Sequence, residues 1–225
     1  MMNLYTAIGT YKLNTRGLPT VVCGNREYGM DAHELLLWTS LSFRILTYQE
    51  LRAEFYERER ELHILGELDF DHYLNRLIMR RLVAVGKDCT GVDALYDLLG
   101  HLHVQSIPDN AFIKAITFFK LVLFRKIPFH KAVSIFRSVS LEPMEERILS
   151  LVKTQTLSTA ELILCTENGI SKLKDNDALM EALYADEETD CNTIISECRV
   201  SETRFSVLTA IANLYLKQRI TFQIV

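Results

Sequence analysis

The chain has little of the residue types that interrupt regular secondary structure. Only 9 glycines and 4 prolines occur among its 225 residues. Because such residues mark the turns between short strands, their scarcity disfavours an all-β sandwich and favours helices. The length suffices for one large domain or for two small ones of roughly 100 residues each.

Cysteine occurs, but in no arrangement that predicts chemistry. The 5 cysteines are widely spaced, and no C-x-x-C pair occurs, so neither a zinc ribbon nor a thioredoxin-type motif is predicted. We interpret them as free thiols in a reducing compartment and expect a cytoplasmic protein. The first residues lack the basic-then-apolar pattern of a signal peptide. No uncharged apolar stretch of about 18 residues occurs, so we expect no membrane association.

Sequence motifs of common active sites are also missing. The chain contains no G-x-x-x-x-G-K-[ST], G-x-G-x-x-G, H-E-x-x-H or G-x-S-x-G. His101 and His103, with Asp97 or Cys89, could bind a metal, but at this spacing on a helix end the two imidazoles diverge. The acidic run 186–190 lacks the glycine and alternating ligands of a calcium loop. We therefore expect no catalytic residue, no metal and no cofactor, and predict that the protein is not an enzyme.

The formal net charge of −4 is unevenly distributed along the chain. Residues 108–141 carry 6 basic and 1 acidic side chains, whereas the segments on both sides are acidic. Phosphate binding needs a basic face, so a protein of this charge is not a non-specific nucleic-acid coat. A local basic face is still compatible with the composition.

This basic middle segment is also strongly apolar, and Pro128 divides it into two predicted helices. One interpretation is a basic amphipathic surface for nucleic acid or membrane. The other is a buried helix pair that joins two lobes or forms a dimer interface. Apolar residues surround the helix almost completely, which favours burial.

Helix starts are predicted on both sides of the middle segment. Capping boxes, in which Glu follows a capping residue by three positions, begin at Asp31, Thr47 and Ser158. Glu142-Pro143 marks another start, because proline is favoured at the first helical position.

Apolar spacings extend this outline. They predict a third helix over 70–82, a helix between polar loops within 168–192 and a last helix over about 202–217. Residues 1–30 read as strands and turns, and 220–225 as a closing strand.

The order helix, helix, helix, strand and turn over residues 31–86 resembles the winged-helix branch of the helix-turn-helix class. The residues that carry this resemblance are LNRLIMRRLVAVG at 74–86, where Leu82-Val83 leads from the third helix into the first wing strand. Residues 157–162 and 207–222 resemble the second-helix entry and the third helix with its strand.

Two features depart from the family's pattern. A wing needs a second strand soon after the turn, but residues 92–102 read as a helix. The second copy also carries an inserted helix and an acidic loop before its last helix.

The resemblance implies a mostly α fold with two winged-helix-like lobes joined by a buried helical segment. Short β strands are expected at the N-terminus, in the wing and at the C-terminus. The implied domains are 1–107 (N-terminal strands and first lobe), 108–141 (apolar basic connector) and 142–225 (second lobe).

If these lobes bind DNA, their third helices present polar and basic side chains to base edges and phosphates. The candidates in the first lobe are Asn75, Arg76, Arg80, Arg81 and Lys87. Those in the second lobe are Arg204, Asn213, Lys217 and Arg219. The second helix is rich in glutamate, which would repel a phosphate backbone facing it.

Two functions follow from the resemblance. The first, which we take as the leading prediction, is a DNA-binding transcriptional regulator that acts as a homodimer. The two helix-helix-helix-strand patterns and the polar face of Asn75, Arg76 and Arg80 favour it. The second is an acidic protein-interaction subunit of the kind found in chromosome-organising complexes, which clasps a partner's peptide without reading DNA. The negative net charge and the glutamate-rich second helix favour the second function.

Overall fold

The computed structural model describes residues 1–15, 17–64, 68–107, 140–185 and 189–224. These residues form nine helices and nine strands, with far more residues in helices than in strands. The expected strands near both ends of the chain are present. Because the strands build three antiparallel sheets, the fold is mixed α/β. The predicted helix pair of the middle segment lies outside the described residues.

The N-terminal lobe starts with four strands. They are β1 (Met2–Ala7), β2 (Thr10–Leu13), β3 (Pro19–Cys23) and β4 (Arg26–Gly29). Strands β2, β3 and β4 form an antiparallel meander. The rest of the lobe consists of α1 (Ala32–Leu41), β5 (Leu46–Thr47), α2 (Tyr48–Leu62), α3 (Phe70–Met79) and β6 (Val83–Asp88).

Helix α4 (Gly91–Leu99) leads to the C-terminal lobe. That lobe contains β7 (His103–Ser106), α5 (Pro143–Leu151), β8 (Leu157–Ser158), α6 (Thr159–Glu167), α7 (Asn176–Leu183), α8 (Cys191–Cys198), α9 (Arg204–Leu216) and β9 (Ile220–Gln223). The helix expected between polar loops within 168–192 is present as α7, capped by the Asp175 carboxylate. A second helix, α8, was not predicted. It begins at Cys191, where the Asp190 carboxylate caps its N-terminus.

The two lobes repeat one arrangement of strands. The sheet orders are β5-β1-β6 and β8-β7-β9, so in each lobe the strand that opens the lobe lies between the other two. The central residue of each sheet and its two partners are Tyr5 with Leu46 and Val85, and Val104 with Leu157 and Phe222. The sheets thus agree in order and in register.

This arrangement explains the absence of a second wing strand after Gly86. The strand that pairs with β6 is β1, which precedes α1 in the chain. The chain after β6 is free to form α4, as the sequence predicted. In the same way β7, which lies within the predicted domain 1–107, pairs with the strands of the second lobe.

Strand β1 is buried on both faces and joins the lobes. Successive side chains of a strand point to opposite faces. Tyr5 and Ala7 lie in the core of the N-terminal lobe, whereas Leu4 and Ile8 belong to the core of α4 and the C-terminal lobe. The Gly9 amide donates to the carbonyl oxygen of Phe222 at 2.9 Å. The chain around β1 therefore contributes to the separate cores of both lobes.

Helix α4 packs directly on β6 and β1. The close approach depends on Gly86, where a Cβ atom would lie 2.3 Å from the Ala94 carbonyl oxygen and 2.4 Å from the Leu98 nitrogen. Both are main-chain atoms of α4 and cannot move without shifting the helix.

Replacing Gly86 by alanine should therefore destabilise the protein by about 3 kcal/mol, because overpacking forces the backbone of α4 away from the sheet. Urea unfolding followed by circular dichroism measures the change. Gly91→Ala is the control, since its Cβ would meet only the Met2 sulfur at 3.6 Å. A Gly86→Ala variant as stable as this control would contradict the packing described.

Candidate functional site

Two of the predicted DNA contacts lie at the C-terminal end of α3 and face the N-terminus of α1. Arg80 Nη1 lies 2.9 Å from both carboxylate oxygens of Glu34, and its Nη2 donates to the Gly29 carbonyl oxygen at 2.6 Å. Arg76 lies 3.2 Å from Glu34 and 3.2 Å from Asp31. Both guanidinium groups are thus paired with carboxylates of the protein, while the Arg76 and Arg80 side chains remain 42% and 28% exposed.

Glu34 is placed there by the start of its own helix. As the third residue of α1 it accepts the Asp31 amide hydrogen at 3.1 Å, while Asp31 accepts that of Glu34 at 2.8 Å. Its side chain is only 1% exposed. A buried carboxylate needs a cation and hydrogen bonds to offset its lost hydration. Arg76 and Arg80 supply both.

The C-terminal lobe contains the same construction. Glu145, the third residue of α5, accepts the Glu142 amide hydrogen at 2.9 Å, and its side chain is 0% exposed. Lys217 Nζ at the end of α9 lies 2.8 and 2.7 Å from the two Glu145 oxygens. Burial alone would raise the pKa of Glu145, but hydrogen bonds from Lys217, the Glu142 amide and Asn213 outweigh it and hold the pKa below its usual value.

We call these two sets of residues the glutamate clamps: Glu34 with Arg76 and Arg80, and Glu145 with Asn213 and Lys217. They occupy matching places in the two lobes. Arg80 and Lys217 are the C-cap residues of the last helices. The next residues, Arg81 and Gln218, are left-handed at φ 57° and 58°. Each clamp ties the end of the last helix to the start of the first.

The remaining predicted contacts are dispersed. Arg204 lies 2.9 Å from Asp93, over the Tyr96 ring, and is 18% exposed at the junction of the lobes. Arg219 is half-buried, and its carbonyl oxygen accepts the Ile107 amide hydrogen. The exposed candidates are Asn75, Arg81 and Lys87. The structure therefore brings most of the nine residues to internal contacts and does not gather them on one surface.

A cleft of about 1000 Å³ opens between the two lobes. We call it the interlobe cleft. It lies between the β3–β4 hairpin, the end of α3 and the sheet of the C-terminal lobe, and its lining includes Arg26, Tyr28, Met79, Arg81, Gln105 and Gln223. At one end the Gly24 amide donates to Gln223 Oε1 at 2.8 Å, which fixes the hairpin to β9.

The charge of the interlobe cleft is positive. Arg26, Arg80 and Arg81 line it, and no carboxylate does. Arg80 is committed to Glu34, but within the described part of the chain neither Arg26 nor Arg81 has an ion pair. The sequence analysis identified Arg81 as a candidate but not Arg26. The turn at Gly24-Asn25 indicates a hairpin, but it does not predict which residues that hairpin lies beside in the fold.

The histidine pair and the acidic run do not form a metal site among the residues described. His101 is exposed, whereas His103 is half-buried in β7, where burial lowers its pKa. Asp190 from the acidic run caps α8, and residues 186–188 lie outside the description. None of the described helices is long and apolar enough to cross a membrane.

Comparison with known proteins gives no family, no curated protein and no solved structure that matches this chain.

Removing the cation of the second glutamate clamp should destabilise the protein strongly. Lys217→Met leaves the fully buried Glu145 without its countercharge. We expect the free energy of unfolding, measured with urea at neutral pH, to fall by about 3–5 kcal/mol. Lys153→Met, at an exposed lysine of the same lobe, is the control. A double variant with Glu145→Leu should regain much of the loss, because an apolar pair needs no countercharge. A Lys217→Met variant as stable as the control would refute the clamp.

The Glu145 carboxylate should also make the stability of the protein depend on pH. Its pKa is lowered in the folded protein, so its stabilising contribution is complete above the unfolded value of about 4.3 and is lost as the pH falls through the folded value. The difference in unfolding free energy between wild type and Glu145→Gln should therefore be constant near neutrality and shrink below about pH 4.3. Glu146→Gln, at an exposed neighbour, should show no such trend. A difference independent of pH would contradict this assignment.

Proposed function

We propose that the chain is a protein-interaction subunit built from two winged-helix-like lobes and that it does not read DNA with its third helices. The observation that supports this proposal is the pair of glutamate clamps. They use Arg76 and Arg80 in one lobe, and Asn213 and Lys217 in the other, for contacts inside the protein. These are the side chains that a DNA reader of this class would present to the major groove.

The other exposed side chains of α3 are poorly suited to DNA binding. Asp71, His72, Asn75 and Met79 are exposed along this helix, and none of them carries a fixed positive charge. On α2, Glu57 is exposed and has no ion pair among the residues described. A DNA-binding protein commonly makes about 6–10 phosphate contacts. Arg76 has a 42% exposed side chain but is paired with Asp31 and Glu34, and the exposed Arg81 and Lys87 cannot supply that number.

The winged-helix part of the proposal rests on the repeated order of elements. In the N-terminal lobe this order is helix, short strand, helix, helix and strand, and the C-terminal lobe repeats it with α7 and α8 inserted before its last helix. The strand normally expected after the wing turn is replaced by β1 or β7. In the N-terminal lobe, the segment after β6 instead forms α4, which packs on β6 and β1.

DNA binding is the competing function, and homodimer formation stays a prediction for either one. Fluorescence anisotropy with a labelled mixed duplex, at about 50 and about 200 mM salt, separates the two functions. We expect no saturable binding even at the lower salt concentration. Duplex binding that weakens steeply with salt and disappears in Arg81→Glu/Lys87→Glu would overturn the proposal.

A further inference from the structure

We infer that the interlobe cleft is a docking site for an extended acidic segment of a partner protein, anchored by an apolar side chain. This inference rests on the proposed function and adds the place of binding and the chemistry of the partner. Arg26 on β4 and Arg81 after α3 are the residues that would recognise the segment's carboxylates.

The two arginines reach the cleft from separate parts of the fold. Arg26 is the first residue of β4, after the turn that joins it to β3. Arg81 follows the end of α3 and has a left-handed backbone conformation. Both side chains are exposed, and neither has an ion pair among the residues described. Because no carboxylate lines the cleft, their charges are available to a ligand.

The rest of the lining suits a polypeptide. Asn25, Gln105 and Gln223 provide amide groups that can both donate to and accept from a peptide backbone. Met79 is 83% exposed, and its flexible thioether suits an adaptable apolar contact. Tyr28, beneath the Arg80 guanidinium at 5.7 Å, offers an aromatic surface close to it.

The size and the charge of the cleft together favour a peptide over a small molecule or a nucleic acid. A volume of about 1000 Å³ lies at the upper end of the range for small-molecule pockets, about 300–1000 Å³, and accommodates several residues of extended chain. Two free cations would contact only about two phosphates, which gives a nucleic acid little affinity at physiological salt. A segment with two carboxylates matches the arginines one to one.

Selection of peptides from a random dodecapeptide phage library on the full-length chain tests the inference. We expect enriched peptides to carry at least two Asp or Glu residues and an apolar residue. The best of them, as a fluorescein-labelled synthetic peptide, should bind Arg26→Glu/Arg81→Glu about tenfold or more weakly than wild type. Lys172→Glu/Lys174→Glu, which makes the same change in net charge at exposed lysines outside the cleft, should bind like wild type.

The position of the bound peptide is checked with methionine methyl spectra of the labelled protein. Adding the peptide should shift the Met79 signal, assigned with Met79→Leu, and leave that of Met180 on α7 unchanged. No enrichment, enrichment of peptides without carboxylates, or equal binding to the two charge variants would overturn the docking site.

The failures of the two proposals are distinguishable. Peptides that bind without shifting Met79 and without needing Arg26 or Arg81 would remove the cleft assignment but leave the protein-interaction function standing. If a duplex DNA in place of a peptide shifts Met79 and loses binding in Arg26→Glu/Arg81→Glu, both proposals are wrong.

Discussion

The structure depends on how a buried carboxylate near the start of the first helix of each lobe finds a countercharge. Glu34 and Glu145 both close a capping box, and this places them where the last helix of the lobe ends. A charge removed from water without a partner is strongly unfavourable. Arg80 and Lys217, the C-cap residues of the last helices, provide the countercharges for Glu34 and Glu145. The clamps therefore tie the first helix to the last helix and, at the same time, engage these cations in ion pairs within the protein.

This double effect connects the fold to the proposed protein-interaction function. Arg76 and Arg80, which look suitable for DNA in the sequence, are paired with Glu34, so their charges are offset within the protein. In the cleft that both lobes form, Arg26 and Arg81 are the cations without an ion pair among the residues described. Strand β1 contributes side chains to the cores of both lobes and so connects them.

The sequence predicted the local features well. Asp31, Thr47 and Ser158 start helices as expected, because capping depends on residues only three positions apart. It could not predict the partners of Arg80, which contacts Glu34 from 46 positions away, nor that Arg26 and Arg81 line one cleft. Those contacts depend on how β1 and the hairpin fold back on the lobes. Helix α8 was not predicted, because Asp190 was interpreted as part of a solvated acidic loop and not as the cap of a new helix.

The central claim is that the Arg80 guanidinium is committed to Glu34 and is not available to a ligand. Nitrogen-15 spectra of the arginine side chains test it most directly, with Arg80 and Arg81 assigned by single Arg→Lys variants. We expect the Nη protons of Arg80 to exchange slowly with water and those of Arg81 to exchange fast, and we expect no change at Arg80 on adding duplex DNA. Fast exchange at Arg80, together with a shift of its signals on adding DNA, would contradict it.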